Sequence, residues 1–148
     1  MNKNFLAAKF MFKMANDCKI VSINEDDDWD IAEQLERIFK EGGVRIASNE
    51  RMHEVCLTED ETVLGGTVIA QYNEEMGPTI RFSVAVDPKT QRQGIARRLV
   101  ESIINEFGGS HRIEAWVVNP NMVSLLSSLG FDEPHGGWNP DNPFMERN

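Results

Sequence analysis

Two hydrophobic rhythms divide this chain into elements. Lys19–Ile23 alternates apolar and polar residues and reads as a first strand. Ile80–Val86 alternates more fully, with Ile80, Phe82, Val84 and Val86 on one face and Arg81, Ser83 and Ala85 on the other. Between them, Ile31, Leu35, Ile38 and Phe39 recur at helical spacing until Gly42-Gly43, behind the acidic triplet Asp26-Asp27-Asp28. That triplet suits a helix N-terminus by capping and by dipole better than it suits a metal. His53–Leu57 and Val63–Tyr72 read as two strands joined around Glu59-Asp60-Glu61, and Asn73–Pro78 as the next turn. Ile95, Leu99, Ile103 and Phe107 place a helix from about Gln93 to Phe107, closed by Gly108-Gly109. Ile113–Val118 is a further strand. A short helix runs from Asn119-Pro120 through Leu129, with proline in its first turn, and Phe144–Arg147 is a last strand. The order β-α-β-β-β-α-β-α-β predicts an α/β layer structure, a mixed sheet covered by helices.

Composition narrows the class. The chain has 148 residues, 41% hydrophobic and 26% charged, which suits one globular domain with a real core. Its formal net charge of −9 argues against nucleic-acid binding, which runs on Lys and Arg neutralising phosphates, and favours cationic partners. No apolar run approaches the ~20 residues that span a bilayer. In Met1–Met14, Lys9 and Lys13 interrupt the apolar residues, so this stretch is read as an amphipathic extension. Residues 1–17 are expected to pack on the domain or on a partner, with the domain proper over 18–148. Cys18 and Cys56 read as two free thiols and hence a reducing compartment, and a cytoplasmic location is the expectation. Without Cys/His ligand spacing, no metal is expected.

The chemistry concentrates in Val86-Asp87-Pro88-Lys89-Thr90-Gln91-Arg92-Gln93-Gly94-Ile95-Ala96. A strand ends, a short loop follows and a helix begins. The helix N-terminus offers unpaired N–H groups and partial positive charge, an attractive site for phosphate. Gly94 and Ala96 keep the wall low, and Gln91, Arg92 and Gln93 add donors at the rim. An ordinary helix start with a packing glycine would read the same way. No Gly-Lys-Ser/Thr follows, and the first glycine of a dinucleotide fingerprint is missing.

A second stretch, Asn119 through Gly130-Phe131, sits on the next strand–helix unit. Together the two resemble the GNAT N-acetyltransferase superfamily, in which Val-x-Pro leads into a (Gln/Arg)-x-x-Gly-x-(Gly/Ala) loop and a later Asn precedes a helix ending in Gly-Phe. Val86, Pro88, Gln91, Gly94, Ala96, Asn119, Gly130 and Phe131 match those positions. The resemblance implies a single-domain GNAT fold with a mostly antiparallel sheet, and acetyl-CoA as cosubstrate. It also implies direct transfer of the acetyl group to an amine of a small molecule or peptide. Val84, Ala85 and Val86 would offer main-chain groups to the pantetheine arm, and the amides of Arg92, Gln93, Gly94, Ile95 and Ala96 would hold the pyrophosphate with Gln91 at the rim. Asn119 would bind the arm from the other side, and the Val84 amide would stabilise the oxyanion.

The sequence departs from the family at one place. Leu126 stands where a tyrosine commonly protonates the leaving thiolate. Tyr72, the only tyrosine, is the candidate replacement acid, or else a strand-end packing residue. Glu114 and, less directly, Glu54 are the candidate bases, though Glu114 by alternation would also fit a solvent-facing position. The alternative is a CoA-binding module with little or no transfer. A homodimer is compatible with the fold. The resemblance implies that the acceptor is set by the first helix region and the loop before the last strand, here about residues 39–52 and 133–142, the latter containing His135 and Trp138.

Overall fold

A computed structural model describes residues 18–75, 77–91, 94–132, 139–140 and 143–148. Among these, six strands form one sheet in chain order: β1 (Lys19–Ser22), β2 (Arg51–Leu57), β3 (Val63–Glu74), β4 (Gly77–Val86), β5 (Arg112–Trp116) and β6 (Phe144–Arg147). Three helices accompany it: α1 (Trp29–Glu41), α2 (Ile95–Phe107) and α3 (Met122–Ser128). Every neighbouring pair is antiparallel except β4–β5, which is parallel and joined by the α2 crossover. The expected element order and mixed, mostly antiparallel sheet are what the chain forms. The proposed extension, residues 1–17, lies outside the described residues.

Side-chain alternation assigns the two faces. Ile69, Ile80, Phe82, Ile113, Ala115 and Met145 pack against Val100 and Ile103 of α2 and Leu126 of α3. Val55, Val68 and Met52 pack on the other face against Leu35, Ile38 and Phe39 of α1. Leu35 and Phe39 are fully buried, each worth about 1.5–3 kcal/mol relative to exposure. β3 is buried without interruption from Val63 to Ala70 because both faces are covered over that length.

Several boundaries differ from the sequence expectation for identifiable reasons. The β3–β4 pairing continues to Glu74↔Gly77, so most of the expected turn at Asn73–Pro78 is strand. Asp28 is the N-cap of α1, but its carboxylate accepts the Asn24 N–H at 3.1 Å rather than a helix N–H. Pro120 falls ahead of the N-cap Asn121, so α3 starts at Met122. α2 starts at Ile95 because Gly94 is left-handed, with φ of 77°. At the other motif glycine, Gly130, φ is 92° and an added Cβ would meet Arg147 Nε at 3.1 Å. There Arg147 Nε donates to Leu129 O, tying the end of α3 to β6.

The cysteines correct the free-thiol expectation. Cys18 and Cys56 are joined as a disulfide, with Cα atoms 5.7 Å apart. The Lys19↔Leu57 register brings residue 18 alongside the end of β2, which a sequence separation of 38 does not reveal. Arg98 of α2 donates to Cys18 Sγ at 2.9 Å and to Cys18 O at 2.8 Å. The inference of a reducing compartment from free thiols therefore falls. Among the described residues, no helix is long and apolar enough to cross a membrane.

Candidate active site

The site follows from where one strand pair stops. β4 pairs with β3 along its whole length, from Gly77 to Val86. Its pairing with β5 covers only Thr79–Phe82 against Arg112–Ala115. Beyond Phe82 the two strands separate, and a cleft of about 310 Å³ opens between them. One wall is Phe82–Val86; the other is Ala115, Trp116, Val118 and Asn119; Ile95 and Ala96 at the start of α2 line it as well.

The ladder determines which main-chain groups face the cleft. Asp87 N donates to Leu64 O, and the β3–β4 register is uninterrupted. Hydrogen-bonded pairs alternate in an antiparallel ladder, so Ser83 and Ala85 turn their N–H and C=O groups toward β3. Val84 and Val86 turn theirs toward the cleft. The expectation that Ala85 offers main-chain groups there is thus corrected: Ala85 lines the cleft, but its polar backbone is spent on β3.

The loop after β4 is held tightly. Asp87 Oδ1 accepts from Lys89 N at 3.0 Å, and the buried Thr90 hydroxyl donates to Asp87 O at 3.1 Å. The first α2 hydrogen bond runs from Arg98 N to Gly94 O, so the N–H groups of Ile95, Ala96 and Arg97 have no acceptor within the helix. Nothing lies within 4 Å of a Cβ built on Gly94, which is exposed. This is an open, positively polarised helix end at the mouth of the cleft. Gln91 lines the cleft at its rim, whereas Arg92 and Gln93 lie outside the described residues. Across the gap, Asn119 lines the cleft and its Oδ1 accepts from Asn121 N at 3.0 Å, so its side-chain N–H groups are the ones left to donate. Leu126, fully buried, lines the same cleft. Its neighbour Ser128 is engaged, donating to Leu125 O and accepting from Arg97.

A second cavity, of about 540 Å³, lies between the loop that follows α1 and strands β3, β4 and β5. It shares Val44, Ser83, Trp116 and Val118 with the first, so the two meet at the splayed strands. Tyr72, Asn49, Glu50, Arg45 and Arg81 give it polar character. The Tyr72 hydroxyl accepts from Asn49 Nδ2 at 2.8 Å, which leaves its own proton to donate. Arg81 sits over the rings of Tyr72 and Phe144, at 4.9 and 4.3 Å from their centroids.

Glu114 is not the solvent-facing residue that alternation allowed. It is buried, and its Oε2 accepts from both Nε and Nη2 of Arg81 at 2.9 Å. It lines neither cavity, so it reaches a substrate only through Arg81. Glu54 is further away in function: its Oε1 accepts from Ser102 of α2 at 2.7 Å. Glu50, which the sequence reading passed over, does line the second cavity, its Oε1 accepting from Ala47 N at 2.8 Å. No periodicity singled it out, because it lies in the loop between α1 and β2.

Several known proteins are similar to this chain. A family model described as "Acetyltransferase (GNAT) family" matches residues 8–131. The [Ribosomal protein bS18]-alanine N-acetyltransferase of Salmonella typhimurium (strain LT2) is 31% identical over 88 residues, covering 57% of each chain. Its Escherichia coli (strain K12) counterpart is 39% identical over 56 residues, 35% of this chain and 38% of that one. The chain thus spans little more than half the length of these relatives, or less. Among solved structures, an aminoglycoside acetyltransferase from an uncultured soil metagenomic sample, in complex with trehalose, superposes with a TM-score of 0.62 at 23% identity, over 76% of this chain and 87% of that one. AtaTR bound with AcCoA gives 0.60 at 19% identity, over 88% and 92%. These structural likenesses concern the fold; the family model covers most of the sequence, and by that match the chain belongs to the GNAT acetyltransferase family.

Proposed function

We propose that the protein transfers an acetyl group from acetyl-CoA to a primary amine, by direct attack and without a covalent enzyme intermediate. The observation that carries this reading is the splayed β4–β5 pair with the Gly94-headed helix at its mouth. The outward backbone groups of Val84 and Val86 suit an extended amide-bearing arm, which would add to β4 like a strand. The open N–H groups at Ile95 and Ala96 suit a pyrophosphate, with Gln91 and Asn119 as flanking donors. The Val84 N–H is the oxyanion donor, a role worth ~3–4 kcal/mol in rate terms. The meeting point of the two cavities, at Ser83 and Trp116, is where amine and thioester would come together.

In the transfer step the ammonium of the acceptor gives up a proton, and its nitrogen forms a bond to the thioester carbon. The C–S bond then breaks, the nitrogen gives its remaining surplus proton to solvent to leave a neutral amide, and the thiolate takes a second proton. Glu50 is the carboxylate placed to receive the first proton, directly or through water, with Glu114 acting through Arg81 as a positioning residue. Tyr72 is the hydroxyl placed to supply the second, since Leu126 cannot. Because the two bacterial relatives are named for acetylating an alanine of ribosomal protein bS18, the favoured acceptor is the terminal amine of a peptide rather than an aminoglycoside.

Leu126 supports a second reading, a CoA-binding module with little turnover. The deciding assay mixes protein, acetyl-CoA and either an alanine-initiated peptide or an aminoglycoside, and follows free thiol and acetylated product. Product from the peptide supports the first reading. CoA binding by calorimetry with no turnover on any amine supports the second, and no CoA binding defeats both.

A further inference from the structure

Away from the cleft, near the opposite end of α2 from Gly94, three ligand-type side chains converge. His53 and Glu54 come from β2, and Glu106 comes from the last turn of α2. The His53 Nε2 and one carboxylate oxygen from each glutamate all lie within 4.8 Å of one another. We propose that His53, Glu54 and Glu106 form a binding site for a first-row divalent cation of the zinc type.

Several independent features favour a cation over a plain His–Glu contact. β2 is irregular between Met52 and Val55, a register shift that turns both His53 and Glu54 toward α2. Each inner ligand is already oriented. The Glu54 carboxylate, buried although the residue as a whole is half-buried, accepts from Ser102 Oγ at 2.7 Å. The His53 ring packs on Phe107, with centroids 5.6 Å apart. Outer groups that fix ligand orientation are the usual companions of metal ligands. Charge points the same way. Two carboxylates converge on one imidazole, and among the described residues neither carboxylate is in an ion pair with Lys or Arg. A divalent ion would neutralise them.

The dimensions also fit. Zinc holds nitrogen and oxygen ligands at about 2.0–2.2 Å, which sets tetrahedral donors roughly 3.4 Å apart. His53 Nε2 and Glu106 Oε2 now share a hydrogen bond of 2.5 Å, so they need to part by about 1 Å on that scale. Glu106 is on the exposed side and free to adjust. The imidazole selects zinc-like ions over Mg²⁺ and Ca²⁺, which prefer all-oxygen shells. Three protein ligands leave one position for water. Bound there, the ion would clamp α2 to β2 about 18 Å along the helix from Gly94, steadying the element whose other end faces the cleft.

The test uses the untagged full chain, stripped with chelator, with its disulfide intact. Titration with ZnCl₂ in a calorimeter should show one equivalent bound with micromolar or tighter affinity. Glu106→Gln and His53→Gln should each weaken it at least tenfold while leaving the circular dichroism spectrum unchanged. Zn²⁺ should raise the melting temperature of the wild type and not of Glu106→Gln, and MgCl₂ should give no saturable binding. Three results would overturn the assignment. These are no stoichiometric Zn²⁺ binding, unchanged affinity in Glu106→Gln, and equal competition by Mg²⁺.

Discussion

The cleft and the second cavity meet at Ser83 and Trp116, yet they are made in different ways. The cleft is built largely from two short stretches of chain: Phe82 through Gln91 with the first turn of α2, and Ala115 through Asn119. Its proposed ligand contacts are mainly backbone, the outward groups of Val84 and Val86 and the open helix N–H groups, with Gln91 and Asn119 at the flanks. The second cavity is assembled from side chains of Asn49, Glu50, Tyr72, Arg81 and Trp116, which come from four separate segments. A ligand read by main chain leaves its mark as a local string of small and turn residues. A ligand read by side chains leaves no string, because each contributor answers to its own strand or loop.

That contrast can be broken at its strongest point first. Gly94→Glu places a side chain at φ of 77°, costing roughly 1–2 kcal/mol of left-handed strain, and sets a negative charge at the helix N-terminus where the pyrophosphate is proposed to bind. CoA affinity should fall by about 100-fold or more, read by calorimetry on protein whose fold is verified by circular dichroism. Wild-type affinity in that variant would remove the cleft assignment.

Arg81→Met probes the other region. It strands the buried Glu114 carboxylate and strips the cation from between Tyr72 and Phe144. Breaking a buried pair costs about 3–5 kcal/mol; Arg81 is one-third exposed, so a loss of about 2 kcal/mol in urea unfolding is expected. The KM for amine should rise about tenfold while the Kd for CoA stays within about twofold, on the usual additivity of separate sites. A parallel rise in the CoA Kd would mean that the two regions are not separable.

Smaller effects sharpen the division of labour. Tyr72→Phe removes the hydroxyl and should lower kcat by about tenfold, the low end for a general acid, since a thiol near pKa ~8.5 is a tolerable leaving group. Unchanged kcat would leave Tyr72 as a packing residue. Leu126→Tyr should raise kcat a few-fold, on the order of half a decade, with CoA affinity nearly constant. A flat result there would show that protonation of the thiolate does not limit turnover.

The same contrast explains how much the sequence disclosed. Alternation in Ile80–Val86 and the helical spacing of Ile95, Leu99, Ile103 and Phe107 are repeated local signals, and the strands and helices formed where they pointed. The loop ahead of α2 was readable because Gly94 serves a backbone requirement. Glu114 was ambiguous because alternation names a face without saying what covers it; its partner Arg81 is 33 residues away, on a strand that lies beside it only through the parallel pairing. The Cys18–Cys56 bond was missed for a similar reason, since it depends on the register of an edge strand. Glu50 was missed because a loop carboxylate has no period at all.

The lone parallel pair also bears on when the molecule becomes competent. β3 and β4 are contiguous in sequence and close as a hairpin, whereas β4 and β5 meet only after the α2 crossover is in place. Contacts of long loop closure form late and open early. The β4–β5 edge is therefore a thermodynamic weak seam, and its four paired positions separate the hairpin half from β6 and the end of the chain. Occupancy of the gap would splice that seam. Hydrogen exchange in Arg112–Trp116 should slow markedly on addition of CoA, while exchange in Val63–Ala70 barely changes. Equal slowing in both would mean that the sheet opens as one unit.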